Sequence, residues 1–122
     1  MKNNQSSEDY LEKILMLKEK NGNVRSIDLA NFMNFSKPSI SIAMKKLEDK
    51  GLVSVDNATG YLNLTDAGLE IAQKTLTKHV TLTKFFEHIG VNKETAEDDA
   101  CKIEHDLSDE TFEKLQEFIR NK

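Results

Sequence analysis

The single proline does most to limit what this chain can fold into. Proline has no N–H and a fixed φ, so it suits the first turn of a helix and breaks an interior. Lys37-Pro38-Ser39 therefore opens a helix rather than continuing one. Ile40, Ala43, Met44 and Leu47 follow at spacings of three and four, a buried stripe, and Gly51 ends it. Upstream, Ser26 is placed as the cap of a shorter helix with Ile27, Leu29, Ala30 and Phe32 apolar. Phe35-Ser36 makes the turn. Two short helices joined by a tight turn, the second opening with Ser and Lys, fit a helix-turn-helix.

Leu52-Val53-Ser54-Val55 follows at once, then a polar turn from Asp56 to Gly60, then Tyr61-Leu62-Asn63-Leu64 with partial alternation. That pattern predicts a β-hairpin. A helix-turn-helix followed by a hairpin is a winged helix with a two-stranded wing. Thr65 is predicted to cap a long helix running without a break to Gly90, with Leu69, Ile71, Ala72, Leu76, Val80, Leu82, Phe85, Phe86 and Ile89 apolar. Asn92 starts a further helix predicted to reach His105. Ser108 starts the last, with Phe112, Leu115, Phe118 and Ile119 apolar. Ahead of the helix-turn-helix, Ser7 is predicted to cap a first helix whose stripe is Tyr10, Leu11, Ile14, Leu15 and Leu17. Asn21-Gly22-Asn23 stops it. The expected fold class is mainly α: a winged helix-turn-helix over 1–74, followed by an all-helical module over 75–122.

With 122 residues, 38% hydrophobic content and no Trp, the core is modest and aliphatic. No apolar run spans a membrane, the N-terminus is polar and has no signal-peptide core, and one cysteine excludes an intramolecular disulfide. A cytoplasmic location is expected. The net charge is −4, unevenly spread: residues 1–78 carry 11 Lys and Arg against 10 Asp and Glu, and residues 79–122 carry 6 against 11. The two parts are expected to have different partners.

Cys101-Lys102-Ile103-Glu104-His105 holds the only cysteine. On a helix, positions 101, 104 and 105 share a face, bringing together a thiol, a carboxylate and an imidazole, donors that suit a divalent transition metal. Taken singly, Cys101 reads as a small buried hydrophobe and His105 as a helix-end cap. Asp9 and Glu12, three apart in the first helix, read on their own as a solvated acidic turn.

Residues 98–110, Asp98-Asp99-Ala100-Cys101-Lys102-Ile103-Glu104-His105-Asp106-Leu107-Ser108-Asp109-Glu110, resemble the metal-sensing helix of the iron-dependent repressor family. Ser7-Glu8-Asp9-Tyr10-Leu11-Glu12 is similar to the start of the family's first helix. Lys78-His79 is similar to its long helix, and Lys46-Leu47-Glu48-Asp49-Lys50-Gly51-Leu52-Val53 to the junction found in winged-helix repressors. The order and spacing match over residues 6–120. The resemblance implies a metal-dependent transcriptional repressor with Asp9, Glu12, His79, Cys101, Glu104 and His105 as ligands. It implies Mn(II) or Fe(II) as co-repressor, with Co(II), Ni(II) or Zn(II) as possible surrogates. It also implies a homodimer on a double-stranded, palindromic DNA operator controlling metal homeostasis genes, with no membrane partner. Leu82, Phe85, Phe86, Ile89, Phe112, Leu115 and Phe118 are the expected dimer contacts. Manganese-type members usually carry Glu where this chain has Cys101, and iron-type members usually carry Met where it has Asp9. Thr83 and Glu97 stand where iron-type members complete an ancillary site. The short, two-domain architecture without an SH3-like third domain is expected.

The recognition helix is predicted over about 37–50, with Ser36, Lys37, Pro38, Ser39, Ser41 and Ile42 facing base edges and Arg25 and Lys45 facing phosphates. The wing segment 56–61 has no Lys or Arg, so weak wing contacts are expected. The alternative is a winged-helix regulator answering a protein or small-molecule ligand instead of metal. A metal-dependent hydrolase is set aside, because six protein ligands leave no open position for water. No enzymatic activity is expected.

Overall fold

The computed structural model describes the backbone of residues 2–121 and the side chains of residues 7–121. In order, the elements are α1 (Lys2–Asn21), α2 (Ser26–Met33), α3 (Lys37–Asp49), β1 (Val53–Val55), β2 (Leu62–Leu64), α4 (Asp66–His88), α5 (Lys93–Ile103) and α6 (Asp109–Arg120). They form two compact units, Met1–Gln73 and Lys74–Lys122, with the boundary inside α4. No helix among the described residues is long and apolar enough to cross a membrane.

The first unit is a winged helix-turn-helix. Its core holds Leu11, Ile14 and Leu17 of α1, Val24, Leu29 of α2, Ile40, Met44 and Leu47 of α3, Val53 of β1 and Leu62 of β2. The helical residues among them lie on the apolar stripes expected from the three-and-four spacing, except that Ala43, expected in the buried stripe of α3, is only partly buried. Ser36 caps α3, its hydroxyl accepting from Ser39 N at 3.2 Å, and Pro38 sits in the first turn. Asn34 ends α2 in the left-handed region (φ 60°). An asparagine tolerates that conformation better than most residues, so the reversal between α2 and α3 is made without a glycine.

The hairpin is antiparallel, pairing Val53 with Leu64, Ser54 with Asn63 and Val55 with Leu62. Asp56 Oδ1 accepts from Ala58 N at 2.8 Å and closes the turn. Side-chain and backbone bonds tether the wing to the rest of the unit. Lys18 Nζ donates to Leu62 O and Asn63 Oδ1 at 3.2 and 3.0 Å, and Leu62 N donates to Val24 O at 2.7 Å. Arg25 also bridges to Tyr61 through the backbone. Thr65 joins wing to helix: its hydroxyl donates to Gly51 O at 2.7 Å and accepts from Gly68 N at 3.1 Å, capping α4 as expected. Gly68 is required sterically, since a Cβ there would lie 2.0 Å from Leu52 O.

In the second unit Asn92 caps α5 by accepting from Thr95 N, and Ser108 caps α6 by accepting from Thr111 N. Leu82, Ala96, Ala100 and Phe112 are buried. Lys78 ties α4 to the start of α6, donating to Leu107 O at 3.3 Å and lying 3.6 Å from Asp109 Oδ1. Lys74, at 3.2 Å, and Lys78 hold the Asp109 carboxyl below its ordinary range.

Four boundaries differ from the sequence expectation. The first helix begins at Lys2, which places Ser7 inside it; no glycine or proline among the preceding residues interrupts it. Arg25, not Ser26, is the cap position of α2, with Asp28 Oδ2 accepting from Arg25 N at 2.9 Å. The long helix stops at His88, because Gly90 (φ 107°) takes a conformation outside the helical range. Helix α5 stops at Ile103, so His105 lies in the turn beyond it.

Candidate functional site

The second unit brings His79, Glu104 and His105 together at the end of α5, with Cys101 on the last turn of that helix. Glu104 is the C-cap residue, its N–H still bonded to Ala100 O at 3.0 Å. Asp106 N then bonds to Ile103 O at 3.0 Å, tightening the chain into a turn that carries His105. Cys101 lies on the last turn of α5, half-buried and outside any disulfide. The face expected from positions 101, 104 and 105 is thus part helix and part turn.

Glu104 is the centre of this group. It is 1% exposed. Its Oε1 lies 2.8 Å from His79 Nδ1 of α4. Its Oε2 lies 3.8 Å from His105 Nε2 and is buried with no hydrogen-bond partner among the described residues. An unsatisfied buried polar atom costs about 1–3 kcal/mol, more when charged. The cost is aggravated at a helix C-terminus, where the backbone dipole disfavours an anion. A cation at this point removes both penalties. Carboxylate, imidazole and thiol are the donor types that first-row divalent metals take, so these residues fit a metal. Thr83 Oγ1 donates to His79 O at 2.8 Å. The hydroxyl at this departure from the iron-type pattern thus contacts its own helix.

Asp9 and Glu12 lie on α1 in the first unit. Lys13 Nζ is 3.5 Å from Asp9 Oδ1 and 3.3 Å from Glu12 Oε1. Glu12 is fully buried, not part of a solvated acidic turn. Lys13 escaped the sequence reading; its signal was the Asp9-to-Lys13 spacing of four, which suits an ion pair.

Of the expected DNA contacts, Lys37, Pro38, Ser41, Ile42 and Lys45 are exposed on α3. The Ser36 hydroxyl donates to Ser39 Oγ at 2.9 Å, so these two expected base contacts hold each other. Lys45 pairs with Asp49 at 3.7 Å on the surface. A groove of about 480 Å³ between α1 and α3 adds Lys46 and Lys50 to Ser39 and Ile42. Neither lysine is among the expected DNA contacts, though both continue the spacing of three and four from Ser39. Arg25 is turned onto the wing: its Nε donates to Thr59 O at 2.9 Å, and its guanidinium lies 4.6 Å from the Tyr61 ring centre. The wing has no basic residue of its own, and Arg25 lends it one.

Of the expected dimer contacts, Phe118 and Ile89 are exposed and Phe85, Phe86 and Leu115 are partly so. Leu82 and Phe112 are buried, so these two are corrected to core residues.

Two family models cover nearly the whole chain. Residues 4–61 match the iron dependent repressor N-terminal DNA binding domain, and residues 65–122 match the iron dependent repressor metal binding and dimerisation domain. An HTH-type transcriptional regulator of Methanocaldococcus jannaschii is 41% identical over 117 residues, covering 94% of this chain and 93% of that protein. The transcriptional regulator MntR of Geobacillus thermodenitrificans is 31% identical over 115 residues, covering 94% and 81%. Among solved structures, the manganese regulator SloR superposes with a TM-score of 0.81 at 30% identity, covering 93% of this chain and 53% of that one. The metal-dependent transcriptional regulator MtsR superposes with a TM-score of 0.85 at 26% identity, with the same coverage. This chain therefore spans about half the length of those two solved chains. The chain belongs to the iron-dependent repressor family of metal-dependent, DNA-binding transcriptional repressors.

Proposed function

We propose that the chain represses transcription when Mn(II) or Fe(II) is bound by Asp9, Glu12, His79, Cys101, Glu104 and His105. The observation that carries the reading is Glu104: a buried carboxylate at a helix C-terminus, between two imidazoles, with one oxygen unsatisfied. When bound, the ion supplies positive charge that turns repulsion among the carboxylates into attraction. His79 and His105 then act as neutral nitrogen donors and Cys101 as a thiolate. We assign DNA binding to residues 1–74 and sensing and dimerisation to residues 75–122.

Lys37, Pro38, Ser41 and Ile42 face base edges in the major groove, with Ser36 and Ser39 beside them at the helix start. Arg25 and Lys45 neutralise phosphates. A homodimer places two such helices on the half-sites of a palindromic operator, and their spacing is what the metal fixes. Co(II), Ni(II) and Zn(II) serve as surrogates in vitro. The regulated genes are those of metal homeostasis, and the protein acts in the cytoplasm. Mn(II) is supported by similarity to the manganese regulator SloR and to a manganese-dependent transcriptional repressor. Fluorescence anisotropy on labelled operator DNA, with Mn(II) and with chelator, tests the reading. Tight binding is expected only with Mn(II), and equal affinity in both conditions rejects it.

A further inference from the structure

We propose that Lys13 is a built-in competitor for the metal: its ammonium neutralises Asp9 and Glu12 in the metal-free protein and so sets the concentration of divalent ion needed. The inference rests on Asp9 and Glu12 being ligands, as proposed above. It starts from one contact set within α1. Lys13 Nζ lies between the two carboxylates, at 3.5 Å from Asp9 Oδ1 and 3.3 Å from Glu12 Oε1.

Three physical points support it. Asp9 and Lys13 are four apart with the acid on the N-terminal side, the favourable order for an ion pair on a helix. The Glu12 side chain is 0% exposed and that of Lys13 only 18%. Solvent and salt therefore screen this pair less than a surface pair. An ammonium on a flexible four-carbon stem can also leave without unfolding the helix.

The consequence concerns the threshold for sensing. A divalent ion using the Asp9 and Glu12 oxygens must displace the ammonium, and once bound it repels the displaced charge. Both effects subtract from metal affinity while leaving the metal-free α1 stable. The two acidic side chains thus gain a resting partner, and the protein ignores divalent ions until their concentration overcomes it.

The test is calorimetric titration of Mn(II) alone into the full chain, comparing wild type with K13M, K13R and E12Q. K13M keeps the stem and loses the charge. It is expected to bind Mn(II) about tenfold more tightly, a difference of about 1.4 kcal/mol. K13R keeps the charge and is expected to stay within about twofold of wild type. Thermal melts give a second readout: metal-free K13M melts lower than wild type, and Mn(II) raises its melting temperature by more. If E12Q weakens Mn(II) binding while K13M binds no more tightly than wild type, the competitor role is overturned and the ligand assignment stands. If E12Q leaves Mn(II) affinity unchanged, the ligand assignment fails and the inference falls with it. Should K13M not fold, K13Q carries the same comparison.

Discussion

His79 Nδ1 and Glu104 Oε1 lie 2.8 Å apart, though 25 residues separate them in the chain. The contact joins the long helix α4 to the end of α5. It also occupies one carboxylate oxygen and leaves Oε2 buried near His105 Nε2 at 3.8 Å. A structural ion pair would satisfy both oxygens. A buried oxygen left without a hydrogen-bond partner is what the proposed metal site requires. In the proposed site, a bound cation would recover the burial cost.

Glu104→Gln tests this directly. The amide keeps the size and one oxygen but loses the charge and half the acceptors. Mn(II) affinity is expected to fall at least about tenfold, in the range seen when groups around a metal are altered. The metal-free fold is expected to survive, because the amide relieves the unsatisfied buried anion. Calorimetry with Mn(II) and far-ultraviolet circular dichroism measure the two effects. Unchanged Mn(II) affinity would remove Glu104 from the ligand set.

Gly68→Ala tests how the wing is anchored. The added Cβ would stand 2.0 Å from Leu52 O, a backbone atom that cannot swing aside. Either α4 or the start of β1 must shift. A loss of about 1–3 kcal/mol is expected, as for other overpacked sites. Urea unfolding followed by circular dichroism reads it. A substitution costing nothing would mean that the helix and wing are not locked together there.

How much of this was legible depends on how local the cause is. Pro38, Gly51 and Thr65 act on their immediate neighbours, so the helix-turn-helix and the start of α4 could be placed from sequence. The end of α5 could not, because neither Glu104 nor His105 breaks a helix. The tight turn closed by Asp106 N and the Ser108 cap take the chain out of it. The need for glycine at 68 was invisible, because it comes from a carbonyl 16 residues away. Lys13 was hidden for a related reason. An acidic helical face looks solvated until Glu12 is found buried. The ligand candidates came from a family resemblance, since spacing alone supplied only Cys101, Glu104 and His105.

Arg25→Ala tests whether the wing's borrowed charge matters. The guanidinium both stacks on Tyr61 and donates to Thr59 O. Removing it would lose the proposed phosphate contact and free the wing tip. Operator affinity is expected to weaken uniformly across sequences. The dependence of binding on salt is expected to become shallower by about one charge per subunit. Arg25→Lys restores the charge but not the planar stack, so it should recover the salt slope and only part of the affinity. Anisotropy titrations at several salt concentrations separate the two contributions. An unaltered salt slope in Arg25→Ala would show that this side chain only supports the wing.

Cys101→Ser addresses which metal is sensed. A thiolate favours softer ions, whereas Mn(II) prefers oxygen donors. Cys101 is half-buried on the last turn of α5, close in sequence to the proposed ligands Glu104 and His105. Replacing sulfur by a hydroxyl is therefore expected to weaken Co(II) and Zn(II) at least about tenfold while changing Mn(II) by less than about threefold, an ordering set by ligand softness. Co(II) supplies a direct signal, because a thiolate bound to it gives a charge-transfer absorption in the near ultraviolet. Wild type with Co(II) should show that band and Cys101→Ser should lack it. If the wild-type protein binds Co(II) without the band, Cys101 is not a ligand, and metal preference is set by the oxygen and nitrogen donors alone.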